Sequence, residues 1–155
     1  MVYEISGFKT IDVKYLVFDY NGTLAINGIL IEGVESAIQQ LAKQFEIFIV
    51  TADTFGTASK QLKGLPVHLH ILGSSNQAEA KKSFIEKLGK ENVIAVGNGR
   101  NDQKMVETSA IGIVVIQNEG ASSQTLMASD IVCNTITDVF GIIQSPQMLT
   151  ATLRG

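Results

Sequence analysis

The segment Y-L-V-F-D-Y-N-G-T, residues Tyr15–Thr23, decides the fold. Its four leading apolar residues predict a strand that is buried on both faces. The strand ends at Asp19, and Asn21-Gly22 is typical of a turn that follows. A carboxylate at the carboxyl end of a buried strand lies where open α/β sheets bind ligands. A carboxylate that only closes the strand and bonds its own turn explains Asp19 equally well, so both interpretations stay open here.

The composition bounds the class of protein. The 155 residues are 45% hydrophobic and 17% charged, with 14 Gly and 2 Pro, as in an ordinary α/β domain rather than a disordered chain. A net charge of -3 argues against nucleic acid as a main partner. Cys133 is the only cysteine, which excludes an internal disulfide and a Cys-based zinc site. Its apolar neighbours predict a buried, inert thiol.

The apolar runs are too short to cross a bilayer, and the N-terminus lacks the apolar centre of a signal peptide. We therefore expect a cytoplasmic protein without a membrane partner.

Strand and helix patterns alternate along the chain. This alternation predicts the α/β class: a Rossmann-like, three-layer αβα domain with a mostly parallel sheet, spanning 1–155 with its core at about 15–145. Residues 2–12 predict a hairpin or edge strand, and residues 147–155 a tail that frays or mediates contacts. Further strands are predicted at 47–50, 67–72, 93–96, 111–116 and 131–133, and helices at 33–45, 54–63, 76–89, 102–109, 121–128 and 137–144.

A β-hairpin is predicted directly after Asp19. Asn27-Gly28 separates two apolar triplets within 24–31, and both turn residues tolerate a positive φ. Such a hairpin would stand over Asp19 as a flap. In the strand at 67–72, His68 and His70 share one face, and a partly exposed face explains them better than a metal site because no third histidine exists.

Polar groups recur at the ends of several predicted strands or nearby. The carboxyl ends of parallel strands meet at one sheet edge, so we expect these groups to converge. They are Asp19 with Asn21 and Thr23, Thr51 with Ala52 and Asp53, a lysine near the start of the helix at 76–89, and Asn98 with Asn101 and Asp102.

Lys81 and Lys82 compete for the lysine position. On a helical wheel of about 100° per residue, Lys81 lies within roughly 35° of the centre of the apolar stripe and Lys82 roughly 135° away. A lysine on the buried stripe needs an anionic partner inside the protein, whereas Lys82 can be solvated. The pattern favours Lys81.

These groups suit phosphoryl transfer. A carboxylate nucleophile approaches a phosphate dianion only with a divalent cation nearby, because two anions repel each other. Oxygen ligands from Asp19, Asp102 and backbone or Asn carbonyls suit Mg²⁺. A threonine hydroxyl with adjacent backbone N–H groups can hold phosphoryl oxygens, and a lysine supplies a positive charge for the transferred group.

Four motifs in order resemble the haloacid dehalogenase (HAD) superfamily, and more narrowly the phosphorylation domain of P-type ATPases as a free-standing protein. D-Y-N-G-T-L resembles D-x-x-G-T-[LV], I-V-T-A-D resembles T-G-D, Lys81 takes the third place, and V-G-N-G-R-N-D resembles G-D-G-x-N-D. The segments at 110–113 and 128–132 resemble the ATPase continuation, so the similarity covers residues 15 to about 140.

The resemblance implies a role for each matching residue. Asp19 becomes phosphorylated, and Thr51 and Lys81 hold the phosphoryl group. Asp102 and the backbone carbonyl of Asn21 help to bind Mg²⁺, together with Asn98. The substrate side comprises Thr23, Ala52, Asp53 and Asn101, with Asn101 positioning its loop.

Two family carboxylates are amides in this chain. Asn21 stands where these hydrolases carry the general acid and base, which typically contributes ~10²–10⁴ in rate, so slow dephosphorylation and a preference for good leaving groups are expected. Asn98 stands for a metal-binding Asp, and an amide oxygen lacks the negative charge. Mg²⁺ affinity should therefore be weaker than in the family, and Asn98→Asp should tighten it.

The spacing of the motifs leaves no room for a cap or nucleotide-binding domain between Asp19 and Lys81. An open site suits a phosphoprotein, a phosphorylated small molecule enclosed by a second subunit of a homo-oligomer, or low selectivity. Two functions are carried forward: a Mg²⁺-dependent phosphatase acting through Asp19, and a non-hydrolytic module of the same fold that binds or regulates through its phosphorylation state.

Overall fold

Ten strands and seven helices build the protein, which we describe from a computed structural model of residues 1–155. The strands are β1 Val2–Ile5, β2 Lys9–Asp12, β3 Tyr15–Phe18, β4 Ala25–Ile26, β5 Ile29–Leu30, β6 Glu46–Thr51, β7 His68–Ile71, β8 Val93–Gly97, β9 Ile111–Val115 and β10 Ile131–Cys133. The helices are α1 Val34–Leu41, α2 Thr57–Gln61, α3 Gln77–Leu88, α4 Gln103–Thr108, α5 Ser123–Ala128, α6 Ile136–Gln144 and α7 Pro146–Leu153.

Six of the strands form the central sheet, in the order β10-β9-β8-β3-β6-β7. All six are parallel, which confirms the α/β prediction; the antiparallel pairs β1-β2 and β4-β5 lie outside this sheet. The chain leaves β3 toward β6 and β7 and then returns to β8 on the other side of β3. The crevice at the carboxyl ends of β3 and β8 is therefore the topological switch point, where open α/β sheets bind ligands.

The core lies on both faces of this sheet because side chains alternate along β3. Leu16 and Phe18 belong to a large apolar cluster with residues of α1, α6 and α7. Val17 points to the opposite face, into a smaller cluster with residues of α3 and α4. This gives the three-layer αβα arrangement that the sequence predicts. Cys133 is buried, as predicted, and burial raises the pKa of its thiol to about 11.

The hairpin β4-β5 confirms the predicted flap. Asn27 and Gly28 both have positive φ, 51° and 79°, as a two-residue hairpin turn requires. The Tyr20 hydroxyl donates to the Gly28 carbonyl at 2.8 Å, and the Leu30 N–H donates to Gln61 Oε1 at 3.2 Å. The flap is thus held between the Asp19 loop and α2.

Of the two alternatives predicted for residues 147–155, fraying is wrong and contacts are found. Pro146 ends α6 but also opens α7, because proline suits the first turn of a helix and the Ser145 hydroxyl accepts from Met148 N–H. Leu149 is fully buried, and Gly155 N–H donates to the Ser6 carbonyl at 3.1 Å. The segment therefore packs against the N-terminal hairpin.

The outer edge of the sheet bears the two histidines. His68 is exposed, its Nε2 lies 3.1 Å from Glu46 Oε1, and its ring stacks on Phe48. This confirms the interpretation of a partly exposed strand face. None of the helices combines the length and the apolar character needed to cross a membrane.

Candidate active site

A polar cavity of about 570 Å³ opens at the carboxyl ends of the central strands. Of its 16 lining residues only Ala52 and Phe55 have hydrophobic side chains. The turn of the flap, Asn27-Gly28, forms part of its wall. The sequence-predicted residues on this cavity are Asp19, Asn21, Thr51, Ala52, Asp53, Lys81, Asn98 and Asn101.

Lys81 joins the two buried carboxylates at the floor of the cavity. Its Nζ donates to Asp19 Oδ1 and to Asp102 Oδ1, each at 2.6 Å, and its side chain is 1% exposed. Lys82 instead points outward, 3.7 Å from Glu86. The apolar stripe of α3 buries one lysine and leaves the next in solvent, in agreement with the helical wheel. The second side-chain oxygen of Asp19 has no side-chain partner.

The floor carries an excess of negative charge, because one ammonium faces two carboxylates. Burial and then repulsion from Asp102 raise the pKa of Asp19 to about 6, although Lys81 opposes this rise. Burial also disfavours the Lys81 cation, but Asp19 and Asp102 more than offset it, so its pKa lies above the ordinary value. Lys81 is therefore charged, and the free Asp19 carboxylate is primed to gain a proton or a cation.

Asp102 occupies a different place from the one expected of a metal ligand. It is completely buried and does not line the cavity. Its Oδ1 accepts from Lys81, and its Oδ2 accepts from the backbone N–H groups of Asn98 at 3.0 Å and Gly99 at 2.9 Å. A Cβ on Gly97 would lie 2.5 Å from its carboxyl carbon, so this close approach needs a glycine. In this geometry Asp102 orients Lys81 and the loop after β8.

Thr23 is likewise withdrawn from the cavity. It is fully buried and absent from the cavity wall, so a direct substrate contact does not fit its position. Its hydroxyl donates to Asn98 Oδ1 at 3.4 Å. Thr23 connects the loop after β3 with the loop after β8.

The amide side chains of Asn21 and Asn98 both lie on the cavity wall. Asn98 is 6% exposed, and its Nδ2 donates to the Gly120 carbonyl at 3.1 Å. That bond fixes the amide, with Oδ1 on the side of Thr23. Asn21 is exposed beside Asp19. Neither side chain can carry a proton between water and a phosphate oxygen.

Thr51 and Asp53 lie together where β6 ends, but they are engaged differently. Thr51 Oγ1 faces the cavity and accepts only a long bond, 3.4 Å, from Asp53 N–H. The Asp53 carboxylate accepts from Ala58 N–H at 2.7 Å and from the Ser59 N–H and hydroxyl. These bonds outweigh the effect of burial and lower its pKa. Asp53 thus anchors the start of α2, and its oxygens are committed to that role.

Sequence reasoning missed Gln117, which holds the site together from the loop after β9. Its Nε2 donates to the carbonyls of Gly22 at 3.0 Å and Thr23 at 2.9 Å, and its Oε1 accepts from Ile136 N–H at 2.8 Å. Its φ is +29°, an uncommon value for a residue other than glycine. A glutamine in a loop gives no signal in the sequence, because all its partners are distant along the chain.

Three further wall residues were missed as well. Gln77 accepts from Asn101 Nδ2 at 2.8 Å and so fixes this loop amide. Phe55 stands 90% exposed at the cavity mouth. Glu119 brings a carboxylate to the wall beside Asn98. The sequence shows an aromatic residue close after the T-A-D segment, but it does not show that this residue is exposed.

The donors fit a small divalent cation. Asp19 offers a carboxylate oxygen that has no side-chain partner, Asn21 and Asn98 offer carbonyl oxygens, and the floor has a net negative charge. No three His, Cys, Asp or Glu side chains converge closely enough to hold a metal by themselves. A cation here would therefore depend on amide and backbone oxygens besides the carboxylate.

Comparison with known proteins finds relatives of two kinds, while no family model matches the chain. An uncharacterized protein of Methanocaldococcus jannaschii is 42% identical over 79 residues, which cover 48% of this chain and 85% of that protein.

Solved structures are similar over most of the chain. The cobalt-bound deoxy-D-mannose-octulosonate 8-phosphate phosphatase of Haemophilus influenzae has a TM-score of 0.72 at 14% identity and covers 93% of this chain and 94% of its own. The 3-deoxy-D-manno-octulosonate 8-phosphate phosphatase of Moraxella catarrhalis, solved with magnesium, phosphate and KDO, has a TM-score of 0.67 at 20% identity, with 92% and 94% covered. A Legionella pneumophila protein classed with the HAD superfamily hydrolases, subfamily III A, has a TM-score of 0.70 at 16% identity, with 92% and 87% covered.

Proposed function

This chain belongs to one family with the M. jannaschii protein and has the fold of the HAD superfamily hydrolases, and from that premise we propose that it is a Mg²⁺-dependent phosphohydrolase acting through Asp19. The observation that carries the proposal is the buried bridge from Lys81 to Asp19 and Asp102 at the floor of a polar cavity. An ion pair that only stabilises the fold has no need of this location. This one lies at the switch point of the sheet, with one carboxylate oxygen open to the cavity, which favours a functional role.

In the first step the free oxygen of Asp19 attacks the phosphorus of a phosphate ester. The bond from phosphorus to the leaving oxygen breaks, and the phosphoryl group becomes attached to Asp19. Thr51 and Ala52 line the cavity, and we propose that the Thr51 hydroxyl and the Ala52 backbone N–H donate to phosphoryl oxygens while Lys81 offsets their charge. A Mg²⁺ ion would be held by Asp19, the Asn21 carbonyl and Asn98, and it would supply Lewis-acid charge neutralisation there.

In the second step water attacks the phosphorus, and the bond to Asp19 breaks to give free phosphate and the original carboxylate. Asn21 cannot take the proton of that water or give one to the leaving oxygen in the first step. The rate enhancement of about 10²–10⁴ that general acid–base catalysis typically contributes is therefore missing. We propose that the enzyme is slow and prefers substrates with good leaving groups.

The cavity bears on the class of substrate. It is open, because the flap covers one side and no cap domain covers the other. We propose a phosphorylated small molecule or a phosphoprotein as substrate. The sugar phosphate of the octulosonate phosphatases is not carried over, since identities of 14–20% support the fold and not the substrate.

The test is Mg²⁺-dependent hydrolysis of an aryl phosphate by the wild type and Asp19→Ala. The exposed residue Asp12, on β2, provides the control variant Asp12→Ala, which removes one carboxylate away from the cavity. We expect activity in the wild type and Asp12→Ala and none in Asp19→Ala. Equal rates in all three proteins would refute the proposal that Asp19 catalyses the hydrolysis.

A second function is favoured by the amides at Asn21 and Asn98. A domain that accepts a phosphoryl group on Asp19 but does not release it would act as a regulatory binding module. It predicts one covalent phosphate per chain and no further release of free phosphate, which single-turnover and steady-state measurements separate from catalysis.

A further inference from the structure

We propose that Glu119 is an oxygen ligand of the divalent cation and supplies the negative charge that Asn98 lacks. The inference rests on the proposed Mg²⁺ dependence and adds a residue that lies outside the four motifs. Glu119 belongs to the loop between β9 and α5, on the wall of the same cavity as Asp19.

The position of Glu119 is marked by Gly22. A Cβ built on Gly22 would lie 2.6 Å from Glu119 Oε2, 2.4 Å from Asn98 Nδ2 and 2.7 Å from Asn98 Oδ1. The carboxylate and the amide therefore crowd the same point of the loop after β3.

Two sets of hydrogen bonds hold the Glu119 loop there. On one side Gln117 Nε2 binds the carbonyls of Gly22 and Thr23. On the other side the Gly120 carbonyl accepts from Asn98 Nδ2, and Ser122 N–H donates to the Asn98 carbonyl at 2.8 Å. The loop is thus tied to both segments that supply the other ligands. Because hydrogen bonds hold the loop on both sides of Glu119, the backbone at Glu119 is fixed next to the cavity.

The charges at the site point the same way. Glu119 forms no ion pair and its carboxylate accepts no hydrogen bond, although Asn98 Nδ2 is close by and is used by Gly120 instead. The floor below it already has two carboxylates against one ammonium. Asp19 is 8% exposed, with its second oxygen free of side-chain partners. An unpaired carboxylate on the wall of a cavity whose floor has two carboxylates against one ammonium favours a cation in that cavity.

Metal affinity tests the proposal without reference to turnover. Mn²⁺ binding is measured by electron paramagnetic resonance and Mg²⁺ binding by calorimetry, for the wild type, Glu119→Gln and the control Glu91→Gln. Glu91 is an exposed glutamate before β8, at the opposite end of that strand from Asn98. We expect Glu119→Gln to raise the Kd for the metal ion by about 10- to 100-fold, as when a residue that hydrogen-bonds a metal ligand is removed. Glu91→Gln should leave the Kd unchanged.

A rescue experiment tests whether a carboxylate at residue 98 can take over the role of Glu119. If Glu119 replaces the missing carboxylate, Asn98→Asp in the Glu119→Gln background should return Kd to within a few-fold of the wild type. Circular dichroism melting confirms that each variant is folded.

Each result decides one of the two claims. Equal Kd values for the wild type and Glu119→Gln, or a failed rescue by Asn98→Asp, would overturn the role of Glu119 and leave the phosphohydrolase intact. A wild type that binds neither ion would overturn the Mg²⁺ dependence itself, and this inference with it.

Discussion

At the residue scale, the site depends on where one lysine is buried. The helical wheel distinguishes Lys81 from Lys82 because helix periodicity is a local property that the sequence contains. The sequence does not reveal where Asp102 and Thr23 lie, since both positions follow from contacts with distant loops. Each is buried, and each positions a neighbour instead of facing the cavity.

Asp19 should reduce the stability of the folded protein. Its pKa is raised to about 6 by burial and by Asp102, so the folded state holds a proton that the unfolded state has released. Stability contributed by this group therefore falls as pH rises from about 4 to 6. A pKa rise of this size corresponds to roughly 3 kcal/mol at neutral pH.

Asp19→Asn should consequently raise the free energy of unfolding by up to that amount at pH 7.5 without metal, and change it little at pH 4. Urea denaturation at the two pH values measures the difference. A variant that is less stable than the wild type at pH 7.5 would show that the Lys81 bond outweighs the burial of charge.

Asn21→Asp should accelerate the second chemical step. The carboxylate would lie beside Asp19 on the cavity wall, where it can take a proton from water. We expect release of phosphate from Asp19 to rise by about 10² or more. Rapid-quench measurement of phosphoenzyme decay checks this, with Asn27→Asp on the flap as a control for added charge. An unchanged decay rate would mean that Asn21 does not limit hydrolysis.

At the element scale, the loops after β3, β8 and β9 form one hydrogen-bonded unit. The alternation of strands and helices predicted that the first two loops would meet. It did not predict the third, because Gln117 and Glu119 fit no motif and their partners lie far away along the chain.

Gln117→Leu should damage this unit. It removes three hydrogen bonds and leaves the carbonyls of Gly22 and Thr23 without their donor, which costs about 1–3 kcal/mol for each buried group left unpaired. We expect lower stability together with a higher KM, since the loop beside Asp19 loses its support. Urea denaturation and steady-state kinetics measure both.

The matched control is Gln44→Leu, on the exposed turn after α1. If the two variants behave alike, Gln117 has no special role in shaping the site.

At the scale of the whole molecule, the parallel sheet and its two apolar faces were predictable from buried strands and amphipathic helices. The C-terminal helix was not, because a short segment after proline has weak periodicity and its packing depends on the distant N-terminal hairpin. The absence of a cap follows from the spacing of the motifs and leaves the cavity open, with Phe55 at its mouth.

Phe55 should contribute to the binding of apolar leaving groups. A 90% exposed ring at the mouth of a polar cavity offers a surface on which an aryl group can stack. Phe55→Ala should raise KM for an aryl phosphate several-fold and leave KM for acetyl phosphate nearly unchanged. Met127→Ala, another exposed apolar residue outside the cavity wall, is the control. Equal effects on the two substrates would count against a contact between Phe55 and the leaving group.

In the proposed reaction the phosphoryl group passes through Asp19. The most direct test of this step is mass spectrometry of protein quenched in acid during turnover of acetyl phosphate with Mg²⁺. We expect one hydroxylamine-sensitive phosphoryl group on the peptide that contains Asp19, accumulating in the wild type because Asn21 slows its release, and absent in Asp19→Asn. Mg²⁺-dependent turnover with no covalent phosphate on Asp19, continuing in Asp19→Asn, would contradict the proposed reaction.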